Sequence, residues 1–542
     1  KEFDPCEDNR ASEVQCKDIR LLDAFVYANF DLNDGANPLS IRLGNQVVSW
    51  GESTLIAHGI GEINPVDLNI LNAPGAELKE AFRPQGMVWA SLGITENLSV
   101  EAFYQYDWEP IWVPTPGSIF ATNDFAGFGG YNQNAQLGFN ANPDINLDFV
   151  MQEYQRLAGM IASGQTIPTQ QLVAMALAYP TKVTLVQDEQ EPSNDGQYGV
   201  KLGYYAPELG DTEFGFYFMN YHSRRPLISG TAADFSTGAL LSDLAVLGQN
   251  AGDINRELLL SLKSFSKAQI VYPEDIKLYG FSFNTSLGDT SVGAEIAHRQ
   301  DEPLQIDDVE ILYAGMPEQL AIAGIRPDLA GISQIGRDPR YGDKVLPGEK
   351  ANGFILADTL QAQMTFTHLV GPALGSDNVS LLAEIGGIRI QDMPDPSVLR
   401  LNGPNTDRSG GPLLNGSGAA IPGLHTGLSD GAETNPFPTA SAWGYRLLAK
   451  MDYNNVFAGV NLSHSGIYFP QAGWLSPKQF CQQAVNYLQQ QPGFKLSLNC
   501  TLEHLQHTDD GWQLITNNGN FTARQLVLAC GSAIASFTQS AF

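Results

Sequence analysis

The chain has no run approaching the roughly 18 to 20 uninterrupted apolar residues that a membrane-spanning helix requires, so strands are its one route across a bilayer. Positive charge is scarce: 30 basic residues face 59 acidic ones, giving a formal net charge of −29. A field of that sign repels phosphate, and nucleic acid is not an expected partner. A complete G-x-G-x-x-G turn is also absent, since Gly127-Phe128-Gly129-Gly130 lacks the third glycine and a following helix. Without that cradle for a dinucleotide pyrophosphate, no cofactor is expected. Residues 1–10 hold no apolar signal core, as expected if a signal has been removed or the N-terminus lies upstream. Cysteine is sparse and uneven. Cys6 and Cys16 sit in an acidic stretch and suit a surface disulfide, whereas Cys481, Cys500 and Cys530 cluster late and suit a reducing compartment.

What the chain does have is a rhythm. Only 16% of residues are charged, aromatics reach 10%, and 54 glycines and 31 prolines mark a sheet-and-loop protein. Residues 97–108 alternate: Leu98, Val100, Ala102, Tyr104, Tyr106 and Trp108 share one face, with Ser99, Glu101, Gln105 and Asp107 opposite. Residues 443–453 repeat the scheme, and 22–30, 39–50, 84–95, 197–205, 213–223, 276–284, 290–299, 361–370, 378–389 and 456–464 complete about twelve strands. The connectors alternate between short and long. Residues 31–38, 96, 207–211, 287–289, 371–377 and 454–455 are tight and mostly rich in Gly, Asn and Asp, while 51–83, 109–196, 224–275, 300–360 and 391–442 are long. Six hairpins joined by five large loops is the pattern of an outer-membrane barrel. Helix-like stretches at 145–163 and 235–265 are placed to cap or plug a lumen.

A soluble sandwich or propeller with insertions is the competing architecture, but its core would be more continuously apolar. Here the second face repeatedly carries charge, at Arg42, Glu101, Lys201, Glu295, Glu384, Arg446 and Lys450, which suits a polar lumen. Trp50, Glu52, Asp67 and Arg83 flank the first long loop, where they would line a constriction or docking surface, or pin the loop by hydrogen bonds. The weaker signals dissolve. Asp31, Asn33, Asp34 and Gly35 lack the terminal Glu of a calcium loop, Cys500, His504 and His507 lack a fourth ligand, and Gly416-Ser417-Gly418 reads as a loop tip. No metal site and no catalytic set is expected.

The blocks Leu22-Asp23-Ala24-Phe25-Val26, Arg42-Leu43-Gly44, Trp50-Gly51-Glu52-Ser53, Asn64-Pro65-Val66-Asp67, Phe82-Arg83-Pro84, Ala102-Phe103-Tyr104-Gln105 and Asn454-Asn455-Val456-Phe457 carry a resemblance. Residues 1–465 resemble the proteobacterial outer-membrane barrel family known as domain of unknown function 1302. That resemblance implies a Gram-negative outer-membrane barrel working with an outer-membrane lipoprotein and an inner-membrane transporter of the resistance-nodulation-division type, moving hydrophobic or lipid-like compounds. It also implies strands before Leu22 and a closing strand ending in an aromatic residue. Without these, closure is expected to be strained and insertion poor.

Near Ser465 the rhythm stops. Ser476-Pro477 is a helix start, a helix to about Gln490 follows, and 495–499, 513–516 and 525–529 read as short strands, so 466–542 is expected to be an α/β fragment. Lys478, Lys495 and Arg524 balance Glu503, Asp509 and Asp510 there, so the acidic excess belongs to 1–465. With Phe469-Pro470-Gln471-Ala472-Gly473-Trp474-Leu475-Ser476-Pro477, the segment resembles part of the FAD-dependent oxidoreductase half of the bifunctional bacterial tRNA wobble-uridine modification enzyme. It carries no complete cofactor turn and is expected to be inactive. Three functions are therefore weighed: a transport barrel without chemistry, a flavin-dependent tRNA-modifying oxidoreductase resting on the tail alone, and a structural or adhesive surface barrel.

Overall fold

The computed structural model describes residues 22–71, 78–116, 147–373, 375–403, 437–457 and 460–468, with short pieces at 11–12, 14, 16, 118, 120–121, 127–128, 134–136, 502–508, 511–516 and 519–523. Two compact units divide the chain, Lys1–Phe469 and Pro470–Phe542.

In the first unit the strands are β1 (Ala24–Leu32), β2 (Asn37–Gln46), β3 (Gln85–Gly93), β4 (Leu98–Gln105), β5 (Asn134–Gln136), β6 (Val183–Val186), β7 (Gln197–Ala206), β8 (Thr212–Tyr221) and β9 (Leu227–Thr231). They continue as β10 (Lys267–Val271), β11 (Ile276–Leu287), β12 (Thr290–Gln305), β13 (Lys350–Ala351), β14 (Phe354–Ala373), β15 (Ser376–Ile390), β16 (Ser441–Phe457) and β17 (Val460–Tyr468). Twelve of them form one sheet in the order β1-β2-β3-β4-β7-β8-β11-β12-β14-β15-β16-β17. Each pairs antiparallel with its neighbours, as six hairpins require.

Local chemistry fixes the turns. Asn33, Asp34 and Gly35 take φ of 50°, 56° and 89° between β1 and β2, a left-handed conformation that Asn, Asp and Gly tolerate best. Of the four residues that evoke a calcium loop in the sequence, Asn33, Asp34 and Gly35 are thus a hairpin turn and Asp31, in β1, is paired with Pro38.

Alternation decides the faces. Tyr104 on β4, Val200 and Leu202 on β7, Phe216 on β8, Ile296 on β12 and Ile385 on β15 are exposed, while Phe103, Gln105, Tyr217, Glu295 and Glu384 between them are buried. An apolar exterior around a buried polar interior is the face pattern of a transmembrane β-barrel.

The wall is curled. Trp50 contacts Glu101 on β4 and Thr54 contacts Glu384 on β15. Four residues reach at most about 14 Å, yet those strands would lie about 29 Å apart in a flat sheet. Side chains stand roughly perpendicular to a sheet and do not close that gap. Among the described residues β1 and β17 each have a single strand partner, so the seam between them is open.

Three expectations need correction. β2 ends at Gln46 rather than Trp50, because residues 47–50 turn into the lumen. β4 ends at Gln105, and Trp108 leaves the outward row to pack on Tyr272 at 4.7 Å, with its backbone N–H donating to Asn194 Oδ1. The last hairpin is displaced along the chain: β16 runs through residues 454–455 to Phe457, and β17 ends at Tyr468, which pairs with Leu447 on β16, just past the expected stop near Ser465.

The long connections build a lobe of their own. Helices Leu147–Ala162, Thr169–Leu177, Thr237–Gln249 and Arg256–Ser261 pack around Tyr154, Leu157, Leu247, Leu259 and Phe265. Ser236 and Asn255 cap the last two, accepting from the N–H groups of Ala239 and Leu258. β5, β6, β9, β10 and β13 form a second sheet. That sheet, Thr169–Leu177 and the helices Asp308–Gly315 and Pro317–Ile322 lie outside the expected elements.

The second unit contains β18 (Leu502–Thr508), β19 (Gly511–Thr516) and β20 (Gly519–Ala523), an antiparallel meander. The helix expected from Ser476, the strands expected at 495–499 and 525–529, and Cys481, Cys500 and Cys530 lie outside the described residues.

Candidate functional site

The first long connection folds inward. Residues 47–64 have no regular secondary structure and are fixed almost entirely by the wall. Trp50 is the first anchor: Nε1 donates to Glu101 Oε2 at 3.0 Å, and the ring packs against Phe103 and Tyr217 at 5.1 and 5.8 Å.

Two buried carboxylates then hold the backbone. Glu295 on β12 accepts from the N–H groups of Glu52 (2.5 Å), Ser53 (3.2 Å) and Ile60 (2.9 Å). Glu384 on β15 accepts from Thr54 (2.9 Å), Leu55 (2.5 Å) and Ile56 (2.6 Å). A buried backbone N–H without a partner costs about 1 to 3 kcal/mol, so the path of residues 52–60 depends on these two side chains. Close approach is built in, because a Cβ at Gly51 or Gly59 would collide with the Glu295 carboxylate. Gln363 donates to Glu295 Oε1 at 2.7 Å and Thr365 to Glu384 Oε1 at 2.8 Å, which orients both carboxylates. Asn284 donates to Glu52 Oε2 at 2.8 Å, and Arg446 donates to the Leu55 carbonyl.

The outer end of the segment is fixed by charge. His58 Nε2 lies 2.6 Å from Glu302 and Nδ1 lies 3.0 Å from Glu62, while Arg299, fully buried, donates to the carbonyls of His58 and Gly59. Burial would raise the Glu62 carboxyl, but Arg225, His58 and Arg299 together hold it well below the usual carboxylate range. Beside this cluster Trp50, Ile60 and Ile63 pack with Phe103, Met219 and Leu278 into an apolar core.

Of the residues singled out in the sequence, Trp50, Glu52 and Glu101 come together in the lumen. Asp67 and Arg83 secure the segment's exit: Asp67 accepts from the Asn69 N–H at 2.9 Å, and Arg83 pairs with Glu109 at 2.8 Å over the Trp112 ring. Arg42 stands apart, on the lumen side of β2 between the rings of Trp89 and Phe25, at 4.7 and 5.5 Å. Cys16 is disulfide-bonded; Cys6 lies outside the described residues. Glu295 and Glu384 were legible as lumenal charges but not as anchors; Arg299 shares the alternating lumenal face of β12 with Glu295, whereas His58 and Glu62 carried no sequence signal, since an irregular segment has no period to read. Among the described residues no group of three or more His, Cys, Asp or Glu is placed to hold a metal ion. The arrangement holds a peptide segment, and its chemistry is hydrogen bonding from backbone N–H groups to carboxylates.

Residues 3–519 match the family model described as "Protein of unknown function (DUF1302)", a span reaching past residue 465. The chain is also similar to the tRNA 5-methylaminomethyl-2-thiouridine biosynthesis bifunctional protein MnmC of Shewanella amazonensis, 31% identical over 103 residues, 19% of this chain and 15% of that protein. The Haemophilus ducreyi protein of the same name is 42% identical over 84 residues, 16% of this chain and 12% of its own length. The chain thus spans less than a sixth of these curated relatives. Among solved structures, a porin refined at 1.8 Å resolution has a TM-score of 0.25 and 8% identity, covering 80% of this chain and 73% of its own. A Pseudomonas aeruginosa FadL homologue has a TM-score of 0.26 and 9% identity, covering 82% and 68%. At such scores the barrel reading rests on the sheet itself.

Proposed function

The chain belongs to the family described as protein of unknown function (DUF1302), and from its plugged lumen we propose that it is an outer-membrane barrel that moves hydrophobic or lipid-like solutes. The observation that carries this reading is the pinned segment 50–60. It crosses the interior from β4 to β15 and joins an apolar core, leaving the described lumen poorly suited to a wet channel for small hydrophilic solutes. Its anchors are hydrogen bonds and ion pairs, which a bound solute or partner can exchange. A lipoprotein at the outer membrane and a resistance-nodulation-division transporter at the inner membrane are the proposed partners, on the family resemblance. No catalytic step is assigned, because the segment similar to the tRNA-modification protein covers so little of it.

The test pairs two assays. Proteoliposomes should not swell in small sugars, and a deletion strain should lose uptake of an apolar solute that the full chain restores. Unchanged uptake on deletion, or rapid sugar swelling, would sink the proposal.

A further inference from the structure

The outward face of the wall is not uniform. Strand register places Phe281, Ile296, Ala362, Gly387 and Trp443 in one lateral row across β11, β12, β14, β15 and β16. The next row reads Phe283, Ala294, Met364, Ile385 and Tyr445. Large residues therefore flank three small ones, Ala294, Ala362 and Gly387, which fall on three successive strands and form an oblique trough. Its cavity is about 460 Å³ and its lining is almost wholly apolar. That volume is within the range of small-molecule sites, roughly 300 to 1,000 Å³.

The wall is continuous beneath the trough. Ala362 pairs with Gly387 and Gly387 with Trp443 without a register shift, so the feature is a groove and not a gap between strands. A hydrocarbon chain lying there touches protein on three sides, whereas a chain on the plain wall touches it on one, and dispersion contacts add accordingly. One cation is placed at its outer end. Arg389 follows Gly387 by two residues on the same face of β15 and is exposed, roughly 7 Å further along the strand toward the long loops. Asp358, on the same face of β14, lies 3.9 Å from His298.

We propose that this trough binds a single-chain anionic amphiphile, its aliphatic chain over Ala294, Ala362 and Gly387 and its head group at Arg389. The assignment deepens the transport reading above and rests on it for biological meaning, but the binding itself is measurable separately. A two-chain bilayer phospholipid is the poorer occupant, since one trough accommodates one chain.

The probe is palmitate carrying a diazirine near the end of its chain, photolysed with the full chain in phosphatidylethanolamine vesicles and mapped by mass spectrometry. Labelling should concentrate on Phe281, Met364, Ile385 and Trp443 and be displaced by unlabelled palmitate. Ala362→Leu fills the trough from the lipid side without touching the lumen, and should lower that labelling about tenfold while heat-modifiable gel mobility stays unchanged. Arg389→Gln should weaken displacement by palmitate and leave displacement by methyl palmitate as it was. Labelling spread evenly over Tyr104, Val200 and Leu202, or indifferent to both palmitate and Ala362→Leu, would overturn the site and identify bulk lipid contact only. If the site labels as described but a deletion strain keeps its uptake, the transport reading fails and the binding site stands.

Discussion

The lumenal segment and the loop-built lobe come from the same kind of sequence, the long connections, yet they are held in opposite ways. The lobe has its own apolar core around Tyr154, Leu247, Leu259 and Phe265 and its own capped helices. Residues 50–60 have neither helix nor strand, and six of their backbone N–H groups end on two carboxylates from distant strands. Burial spread over many residues tolerates single losses. A segment hung on two side chains does not, and that makes it better suited to move than the lobe.

The sharpest way to break this contrast is Glu384→Ala. It strands the N–H groups of Thr54, Leu55 and Ile56, and should destabilise the segment by about 4 kcal/mol while leaving the lobe intact. Amide exchange at those residues is the readout. Leu247→Ala should do the reverse, costing about 3 kcal/mol within the lobe and leaving exchange at residues 52–60 unchanged. Smaller is Tyr154→Phe, which removes the 2.6 Å bond from the phenol to the Ala176 carbonyl and should cost about 1 kcal/mol, seen as a lower lobe unfolding midpoint.

The contrast extends to buried acids. Glu295 and Glu384 are surrounded by donors, whereas Asp307, fully buried, faces Asp308 and Glu310. Burial first, then those two neighbours, raises the Asp307 carboxyl far above its usual range, against one N–H from Val309. The folded form therefore holds a proton that the unfolded form releases. Its stabilising contribution is complete below about pH 4 and is lost as pH rises toward the raised value. Asp307→Asn should flatten that slope, measured as the pH dependence of lobe unfolding; an unchanged slope would assign it elsewhere.

Much of the wall was legible because its causes are local. Alternation sets the face and Gly, Asn and Asp set the turns, so all twelve strands could be read, most of them within a few residues of their ends. The failures lie where partners are distant. β14 begins at Phe354, seven residues before its alternation reads clearly, because Phe354 to Ala357 pair with β12 beyond the irregularity between Arg299 and Glu302. β6 and β10 pair in parallel through Leu185 and Lys267, which no local pattern announces. At the site, Ser53 and Glu295 are 242 residues apart, and Ile56 and Glu384 are 328 apart. Sequence reading found the charges and the Trp50-Gly51-Glu52-Ser53 block, but not that one is the socket for the other.

The central claim is that Glu295 and Glu384 hold residues 52–60 inside the barrel. Amide hydrogen exchange on the reconstituted full chain tests it most directly. The structure predicts slow exchange at Glu52, Ser53, Thr54, Leu55, Ile56 and Ile60, lost in Glu384→Ala at residues 54–56 while helix Thr237–Gln249 keeps its protection. Exchange at free-loop rates in the unaltered protein, or protection indifferent to Glu384→Ala, would contradict it.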